Sequence, residues 1–195
     1  KEFDVRRGVL KNTAALDLNL ITHNLTTNYE WRNALGDFDS GIFIQIQDNS
    51  SNPNTGIKRL IPDHFKTKFG SYFTAAFNPT NDLNIGAGLR YEYQQNNVQK
   101  FYRNSRWATE NYEPLLGQYV IREVLSQKLV KRDIVFNTLS FNAGVRKSLS
   151  SLYTLALNYN YAERAPDIAE MFSDGLHHAL ASIEYGNPFL KKETT

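Results

Sequence analysis

Apolar and polar residues alternate along much of the chain, which is the pattern of β-strands with two different faces. In residues 21–32, the odd positions from Ile21 to Trp31 are mostly apolar, and the even positions are all polar. The leucines from Leu16 to Leu20 have the opposite parity, so a bulge is expected near Leu20 if this segment is one strand. Five further segments alternate similarly. The pattern therefore predicts strands near residues 16–32, 38–48, 68–78, 83–95, 128–147 and 152–162.

The segments between these strands alternate between short and long. Short turns near residues 35, 80 and 150 alternate with long links near residues 58, 110 and 178. Sequential strands joined in this way form an antiparallel up-and-down meander, with turns at one end and loops at the other. Outer-membrane barrels have this asymmetry, since their periplasmic turns are short and their extracellular loops are long. The link from 95 to 127 has no clear period, and 119–130 fits either strand or helix.

A soluble sheet with one face on a core and one face in water shows the same alternation. Three features favour a membrane barrel. The polar faces carry Asn, Thr, Gln and Gly more than Lys and Glu. Successive strands lie further apart along the sequence than in β-sandwiches, and no helix is available to cover an apolar face. The predicted fold class is all-β, an antiparallel up-and-down meander forming a segment of a large transmembrane β-barrel. About six or seven strands cannot enclose a large lumen, so the chain is expected to belong to a bigger barrel.

In a barrel, one parity of each strand faces lipid and the other faces the lumen. The lipid-facing set is expected to include Ile42, Ile44, Leu83, Ile85, Leu139, Phe141, Leu155 and Leu157. The luminal set is expected to include Gln45, Arg90, Asn142 and Asn158. Several strands also carry aromatic residues near their ends, where such rings suit the two interfaces of a bilayer.

Composition narrows the classes of function. The 195 residues include 22 basic and 20 acidic ones, and this balance argues against nucleic acid as a partner. The chain has no cysteine, which excludes disulfides, thiolate zinc sites and cysteine nucleophiles. No apolar run approaches the ~18 residues of a membrane helix. The Gly-x-Ser-x-Gly, phosphate-loop and His-Glu-x-x-His motifs are absent, so neither an enzyme nor a cofactor is expected.

Two segments near the C-terminal end carry a specific composite motif. Residues 159–172 read Tyr-Asn-Tyr-Ala-Glu-Arg-Ala-Pro-Asp-Ile-Ala-Glu-Met-Phe, and residues 184–193 read Glu-Tyr-Gly-Asn-Pro-Phe-Leu-Lys-Lys-Glu. Together they resemble the C-terminal barrel region of TonB-dependent outer-membrane receptors. There, a strand runs into an Arg-Ala-Pro corner and a short turn, and a Gly-Asn-Pro-x-Leu-x-x-Glu element opens the next strand. Weaker similarities lie at 60–64 and 88–92.

The resemblance implies a 22-stranded barrel of the bacterial outer membrane, in contact with lipid and with a plug in its lumen. It also implies energy-dependent uptake of a small nutrient, such as a siderophore-like metal chelate or a metal ion. Residues 1–195 are then expected to be a partial barrel, incomplete at both ends and without the plug. The TonB complex would contact the plug region of the parent protein. An adhesive or structural barrel and a barrel hydrolase remain alternatives, and the substrate is left open.

Candidate ligand contacts lie in the links expected to be extracellular. The 101–122 link interleaves aromatic residues with arginines, which suits an aromatic or anionic ligand through stacking and cation–π contacts. Packing of the long link onto itself explains the same residues equally well. The candidates here are Arg103, Arg106, Trp107 and Tyr112. Arg164 either contacts ligand or plug, or belongs to a corner where Pro166 ends the strand, with 167–172 forming one helical turn behind it.

A metal site is a further hypothesis. His177 and His178 lie in the last long link with Glu184 nearby, and histidine is the commonest metal ligand. Adjacent side chains point apart in an extended backbone, so an irregular loop is needed for both rings to reach one ion. The His177–His178 pair is similar to members of the receptor family that take up zinc or metal chelates, and also to ordinary loop sequence of that family. The hypothetical ligand set is His177, His178 and Glu184.

Overall fold

The computed structural model describes residues 2–3, 14–52, 60–177 and 182–195. The strands are β1 (Glu2–Phe3), β2 (Ala14–Leu16), β3 (Leu18–Asn33), β4 (Gly36–Ser51), β5 (Asp63–Thr80), β6 (Leu83–Arg103), β7 (Val120–Val124), β8 (Gln127–Ser148), β9 (Thr154–Arg164), β10 (Asp174–His177), β11 (Ser182–Tyr185) and β12 (Glu193–Thr194). The short helices are α1 (Asn104–Thr109), α2 (Glu113–Leu116) and α3 (Ile168–Phe172), with a 3₁₀ turn over Gly117–Tyr119.

One antiparallel meander contains most of these strands. Its order is β12-β9-β8-β6-β5-β4-β3, and β7 pairs with the loop end of β8. Separate two-stranded ladders join β1 to β2 and β10 to β11. Within the described residues the sheet is open, with β3 and β12 at its edges. The predicted all-β meander and its six strands are confirmed.

Short turns and long links alternate as the sequence predicts. The β3–β4 turn is fixed by Asn33, whose Oδ1 accepts hydrogen bonds from the N–H groups of Leu35 (2.8 Å) and Gly36 (3.3 Å). A Cβ at Gly36 would lie 2.2 Å from the carbonyl oxygen of Ala76, so the close approach of the neighbouring strand requires glycine there. The turns therefore gather at one end of the sheet, and the long links at the other.

The register places the predicted apolar stripes on one face. Phe141 pairs with Leu89, and Leu89 pairs with Phe73. Because directly paired residues point to the same side of a sheet, parity can be followed from strand to strand. The face that contains Leu89 and Phe141 is called the outer face below, and the opposite face the inner face. All eight residues predicted to face lipid lie on the outer face, and Gln45, Arg90, Asn142 and Asn158 lie on the inner face.

The bulge expected near Leu20 is wrong. The β3–β4 ladder runs without a register shift from Leu18 to Asn33. The irregularity instead falls at Asp17, which separates β2 from β3. Leu18 and Leu20 are consequently inner-face residues, and Leu20 is exposed.

The strands also extend further toward the loop end than the alternation indicates. β5 begins at Asp63 rather than near 68, and β6 continues to Arg103 rather than ending near 95. The segment 119–130 is mostly strand, since β7 folds back as a hairpin on β8. No helix in the described part of the chain is long and apolar enough to cross a membrane.

Aromatic rings cluster on the outer face near the turns. Trp31 stacks on Phe38 with ring centroids 5.2 Å apart and lies 5.4 Å from the ring of Tyr29. Phe77 meets Phe38 edge-on at 5.5 Å. These rings place a broad aromatic patch at the turn end of β3–β5, as expected for one interface of a bilayer.

Candidate functional site

The inner face of the sheet is covered at its loop end. In residues 94–103 of β6, every even position is buried, from Gln94 to Tyr102, and most odd positions are exposed. The covering groups come from the links after β6 and β9, which fold inward over the sheet. The candidate ligand residues Arg106, Trp107 and Tyr112 therefore lie on or near the inner face.

The link after β6 builds a small core around Tyr102. Tyr102, Trp107 and Tyr112 contact one another edge-on, with ring centroids 5.3 to 5.9 Å apart, and Leu116 and Val130 complete the cluster. Trp107 is 5% and Tyr112 6% exposed. These two rings hold the link on the sheet, while ligand contact by either one stays a prediction.

Glu113 ties this core to β8. Its Oε2 accepts hydrogen bonds from the indole N–H of Trp107 (2.6 Å) and from Lys128 Nζ (3.2 Å). These two bonds hold the pKa of the Glu113 carboxyl below its ordinary value. The ammonium of Lys128 also lies 5.1 Å from the Trp107 ring. The indole is therefore fixed by both a carboxylate and a cation.

The arginines of the same link have different surroundings. Arg103 ends β6 and is exposed. The guanidinium of Arg106 lies 4.2 Å from the ring centroid of Tyr185, and its Nη1 donates to Asp174 Oδ1 at 2.8 Å. Arg106 is thus held against the link that follows β9, whereas Arg103 is directed away from this cluster.

The link after β9 begins with a capped helical turn. Asp167 Oδ1 accepts from the N–H of Ala169 (3.0 Å), and Glu170 Oε2 accepts from the N–H of Asp167 (2.7 Å), which is a capping box. The predicted turn behind Pro166 is confirmed as α3. Its apolar residues Ile168, Met171 and Phe172 pack on Val98, Ile134 and Phe136 of the inner face.

Arg164 forms a corner clamp at the end of β9. Its Nη1 and Nη2 each donate to one carboxylate oxygen of Glu170 at 3.0 Å, and its Nε and Nη2 donate to Glu193 Oε2 at 3.1 and 2.9 Å. The guanidinium therefore joins β9, α3 and β12. This arrangement supports the corner interpretation of the Arg-Ala-Pro motif, and contact of Arg164 with ligand or plug is untested.

The two halves of the composite motif meet in space. The N–H of Gly186 donates to the carbonyl of Ser173 (2.7 Å), and the N–H of Asn187 donates to the carbonyl of Glu170 (3.1 Å). A Cβ at Gly186 would lie 2.5 Å from backbone atoms of Met171 and Phe172. The Gly-Asn-Pro segment therefore caps the C-terminal end of α3, and the close approach requires glycine.

Sequence reasoning missed several residues of this region. Arg132 Nη1 donates to the carbonyl of Pro188 at 2.8 Å, and its guanidinium lies 5.4 Å from the ring centroid of Tyr119 and 5.8 Å from that of Phe189. The sequence signal that could have identified Arg132 was its position in the alternating pattern, because this position faces the inner side of the sheet at the loop end of a strand. Its ring partners lie too far along the chain for a local pattern to reveal them.

The metal hypothesis is not tested. His178 lies outside the described residues, and of His177 only the backbone is described, paired with Ser182. Glu184 pairs with Gly175 in the same ladder. Among the residues that the structure describes, no group of three or more His, Asp and Glu side chains is placed to hold a metal ion. His64, which is buried, has its Nδ1 at 2.9 Å from the carbonyl oxygen of Pro62.

A separate depression lies on the sheet near the turns. It encloses about 560 Å³, is open to solvent, and is lined in part by Glu30, Asp39, Gly86 and Asn142. None of the predicted ligand residues within the described part of the chain lines it. Small residues such as Gly86 keep this part of the inner face open, in contrast to the covered loop end.

Comparison with known proteins agrees with this geometry. The family model described as "TonB dependent receptor-like, beta-barrel" matches residues 2–195, and no curated protein matches the chain. The matched region includes the whole meander together with both halves of the corner motif. The chain therefore belongs to the TonB-dependent receptor β-barrel family, whose members are outer-membrane receptors that transport small ligands in interaction with TonB and are not enzymes.

Proposed function

We propose that the chain forms part of the wall and mouth of a receptor for energy-dependent uptake of a siderophore-like metal chelate or a metal ion. The observation that carries this proposal is a pair of arginine–aromatic stacks at the loop end. Arg106 lies on Tyr185 at 4.2 Å, and the guanidinium of Arg132 lies 5.4 Å from the ring centroid of Tyr119 and 5.8 Å from that of Phe189.

The chemistry of these stacks fits an anionic, planar ligand. A guanidinium offers several N–H donors in one plane and binds carboxylates bidentately. Tyr185 is 63% and Phe189 39% exposed, so both rings have free surface for stacking. Chelators that bind metal through catecholate or carboxylate groups carry negative charge on planar groups. Such a ligand therefore finds both a cation and a ring at this site.

In this proposal, the residues predicted from sequence take two roles. Arg106 faces the ligand, with Arg164 as a further candidate at the corner and Arg103 as one at the exposed, outward-directed end of β6. Trp107 and Tyr112 support the link from below, since their rings are buried against Tyr102. Contact with the TonB complex is assigned to a plug region of the parent protein rather than to the described strands.

Binding of a free metal ion is the second form of the proposal. It assigns His177, His178 and Glu184 as ligands, because imidazole and carboxylate groups suit divalent transition metals. Zn²⁺ titration of the intact receptor and of a variant with both histidines replaced by alanine tests this form. If Zn²⁺ binds the intact receptor and the variant with the same weak affinity, the metal-ion form of the proposal is excluded and the metal-chelate form remains.

The test of uptake uses a deletion strain under iron limitation. We expect one chelate to support growth only when the intact receptor and TonB are both present. Arg132→Gln should weaken binding of that chelate about tenfold or more, since it removes a charge-assisted contact. Lys131→Gln is the matched control, because Lys131 lies on the exposed opposite face of the same strand.

Two results would overturn the proposal. Unchanged growth of the deletion strain on every metal source would favour another nutrient or an adhesive role. Hydrolysis of an ester or peptide substrate by the purified receptor would favour the hydrolase alternative.

A further inference from the structure

Three loops meet at one buried carboxylate. Asp174 belongs to the link after β9, and its N–H donates to the carbonyl of Leu60 in the link after β4 at 3.0 Å. Its Oδ1 accepts from Arg106 in the link after β6 at 2.8 Å, and its Oδ2 lies 3.6 Å from Lys100 Nζ on β6. These four residues are called the Asp174 junction below.

The junction is shielded from water. The side chain of Asp174 is 1% exposed, that of Lys100 8% and that of Arg106 21%. Lys100 Nζ also donates to the carbonyl of Phe172 at 2.9 Å, which joins α3 to the same group. Removal of one partner from a buried ion pair leaves an uncompensated charge and is strongly destabilising.

Two of the three loops at the junction also have an attachment of their own. The link after β6 has the ring cluster around Tyr102, and the link after β9 has the apolar face of α3 on Val98. The junction is the place where these separately anchored loops share charged and backbone contacts. The links after β6 and β9 also meet where the rings of Tyr112 and Phe189 lie 6.4 Å apart, but all three loops share contacts at the junction, so a change at Asp174 is transmitted to each of them.

We propose that the Asp174 junction couples the described parts of the three loops, so that residues 60–62, 104–119 and 165–177 detach from the inner face as one unit. Arg106 cannot leave Asp174 without exposing the charge that also holds Lys100, and Lys100 cannot move without releasing Phe172. This coupling is a property of the unliganded receptor and is independent of which nutrient is transported.

Hydrogen exchange of the intact receptor in lipid nanodiscs, without ligand, tests the coupling. Asp174→Asn keeps the shape of the side chain and removes its charge. We expect it to raise amide exchange about tenfold or more in 60–63, 104–119 and 168–177 together, with no change in 83–93. Arg106→Gln should produce the same pattern, and the double variant should add little to either single one.

Glu113→Gln is the matched control. Glu113 holds Trp107 and Lys128 but has no described contact with the other two loops, so its replacement should raise exchange in 104–119 only. The proposal is overturned if Asp174→Asn raises exchange only in its own loop, or if the two single variants act additively. If the receptor with Asp174→Asn does not insert into lipid, the receptor with Arg106→Gln in the same assay decides between these outcomes.

Discussion

The two halves of β6 differ in which face is covered. In residues 83–93, called the membrane half below, the outer face carries apolar and aromatic residues and the inner face is open, with Gly86 and Gly88. In residues 94–103, called the loop half, the inner face buries Val98 and Tyr102, while the outer face carries polar residues such as Gln95 and Asn97. The face of β6 that is covered by other parts of the protein therefore changes along the length of the strand.

The difference follows from what surrounds each half. A transmembrane β-strand needs about 9–11 residues, which the membrane half supplies. The loop half continues for roughly 30 Å at about 3.3 Å per residue, so it rises into water on the loop side. There the loops supply a small core on the inner face, and the outer face is hydrated. Alternation thus shows that two faces differ, while the surroundings decide which face is buried.

The largest effect on stability is expected when two neighbouring aromatic residues in the loop half are compared. Tyr102 is 2% and Phe101 38% exposed, and they point to opposite faces. Tyr102→Ala should cost about 3–5 kcal/mol of stability, as for other large buried aromatic residues, whereas Phe101→Ala should cost less than about 1 kcal/mol. Denaturant unfolding of the intact receptor in micelles measures both. Equal losses would show that the loop half has no buried inner face.

The second comparison places the same substitution in both halves of the outer face. Phe141 pairs with Leu89 near the middle of the membrane half, so Phe141→Arg should cost about 2–4 kcal/mol in a bilayer. Gln95→Arg lies on the same face in the loop half and should change stability by less than about 0.5 kcal/mol. Unfolding from lipid vesicles gives both values. A similar cost at Gln95 would extend the lipid-facing band beyond the membrane half.

The third comparison uses glycines that differ in packing. Gly186→Ala forces a Cβ to 2.5 Å from the backbone of α3, and overpacking of this kind costs about 1–3 kcal/mol. Gly86→Ala is the control in the membrane half, where the nearest atom would be 4.0 Å away. Exchange of amides in 168–173 should rise for Gly186→Ala alone. Protection that survives this substitution would show that the Gly-Asn-Pro segment does not hold α3.

The smallest expected effect is a pH dependence confined to the corner. Hydrogen bonds from Arg164 and from the Asp167 N–H hold the pKa of Glu170 below its ordinary 4.5. A lowered folded pKa adds stability that is present above about 4.5 and is lost as the pH falls through the folded value. The protection of amides in 165–173, taken relative to their intrinsic exchange rate at each pH, should therefore fall below pH 4.5. Glu170→Gln should lose this fall in protection; a variant that keeps it would assign the titration to another group.

The strands and their faces followed from local pattern. Each stripe in the membrane half alternates cleanly because lipid and lumen differ in polarity, and the short turns carry Asn, Gly, Pro or Ser. The corner followed from the motif around Arg164 and Gly186. In these regions the structural cause lies within a few residues of its effect.

The extent and the burial of the loop half could not be predicted from the local sequence pattern, and the reason is physical. Asn96 and Lys100 are polar yet buried, so a strand that continues to Arg103 reads as irregular. The partners that bury them are distant, since 68 residues separate Arg106 from Asp174 and 56 separate Arg132 from Pro188. The same distance left Tyr185 and Phe189 out of the predicted ligand set.

The alternation of short turns and long links also bears on how the sheet assembles. β3–β4, β5–β6 and β8–β9 are hairpins whose pairing closes only short loops, whereas the pairing of β6 with β8 closes the link from 104 to 126. Loop-closure entropy and non-local pairing slow folding. We therefore expect pairing within each hairpin to precede pairing between hairpins. The loop-closure cost of joining them is set by the same long links that the proposed function places at the mouth of the receptor.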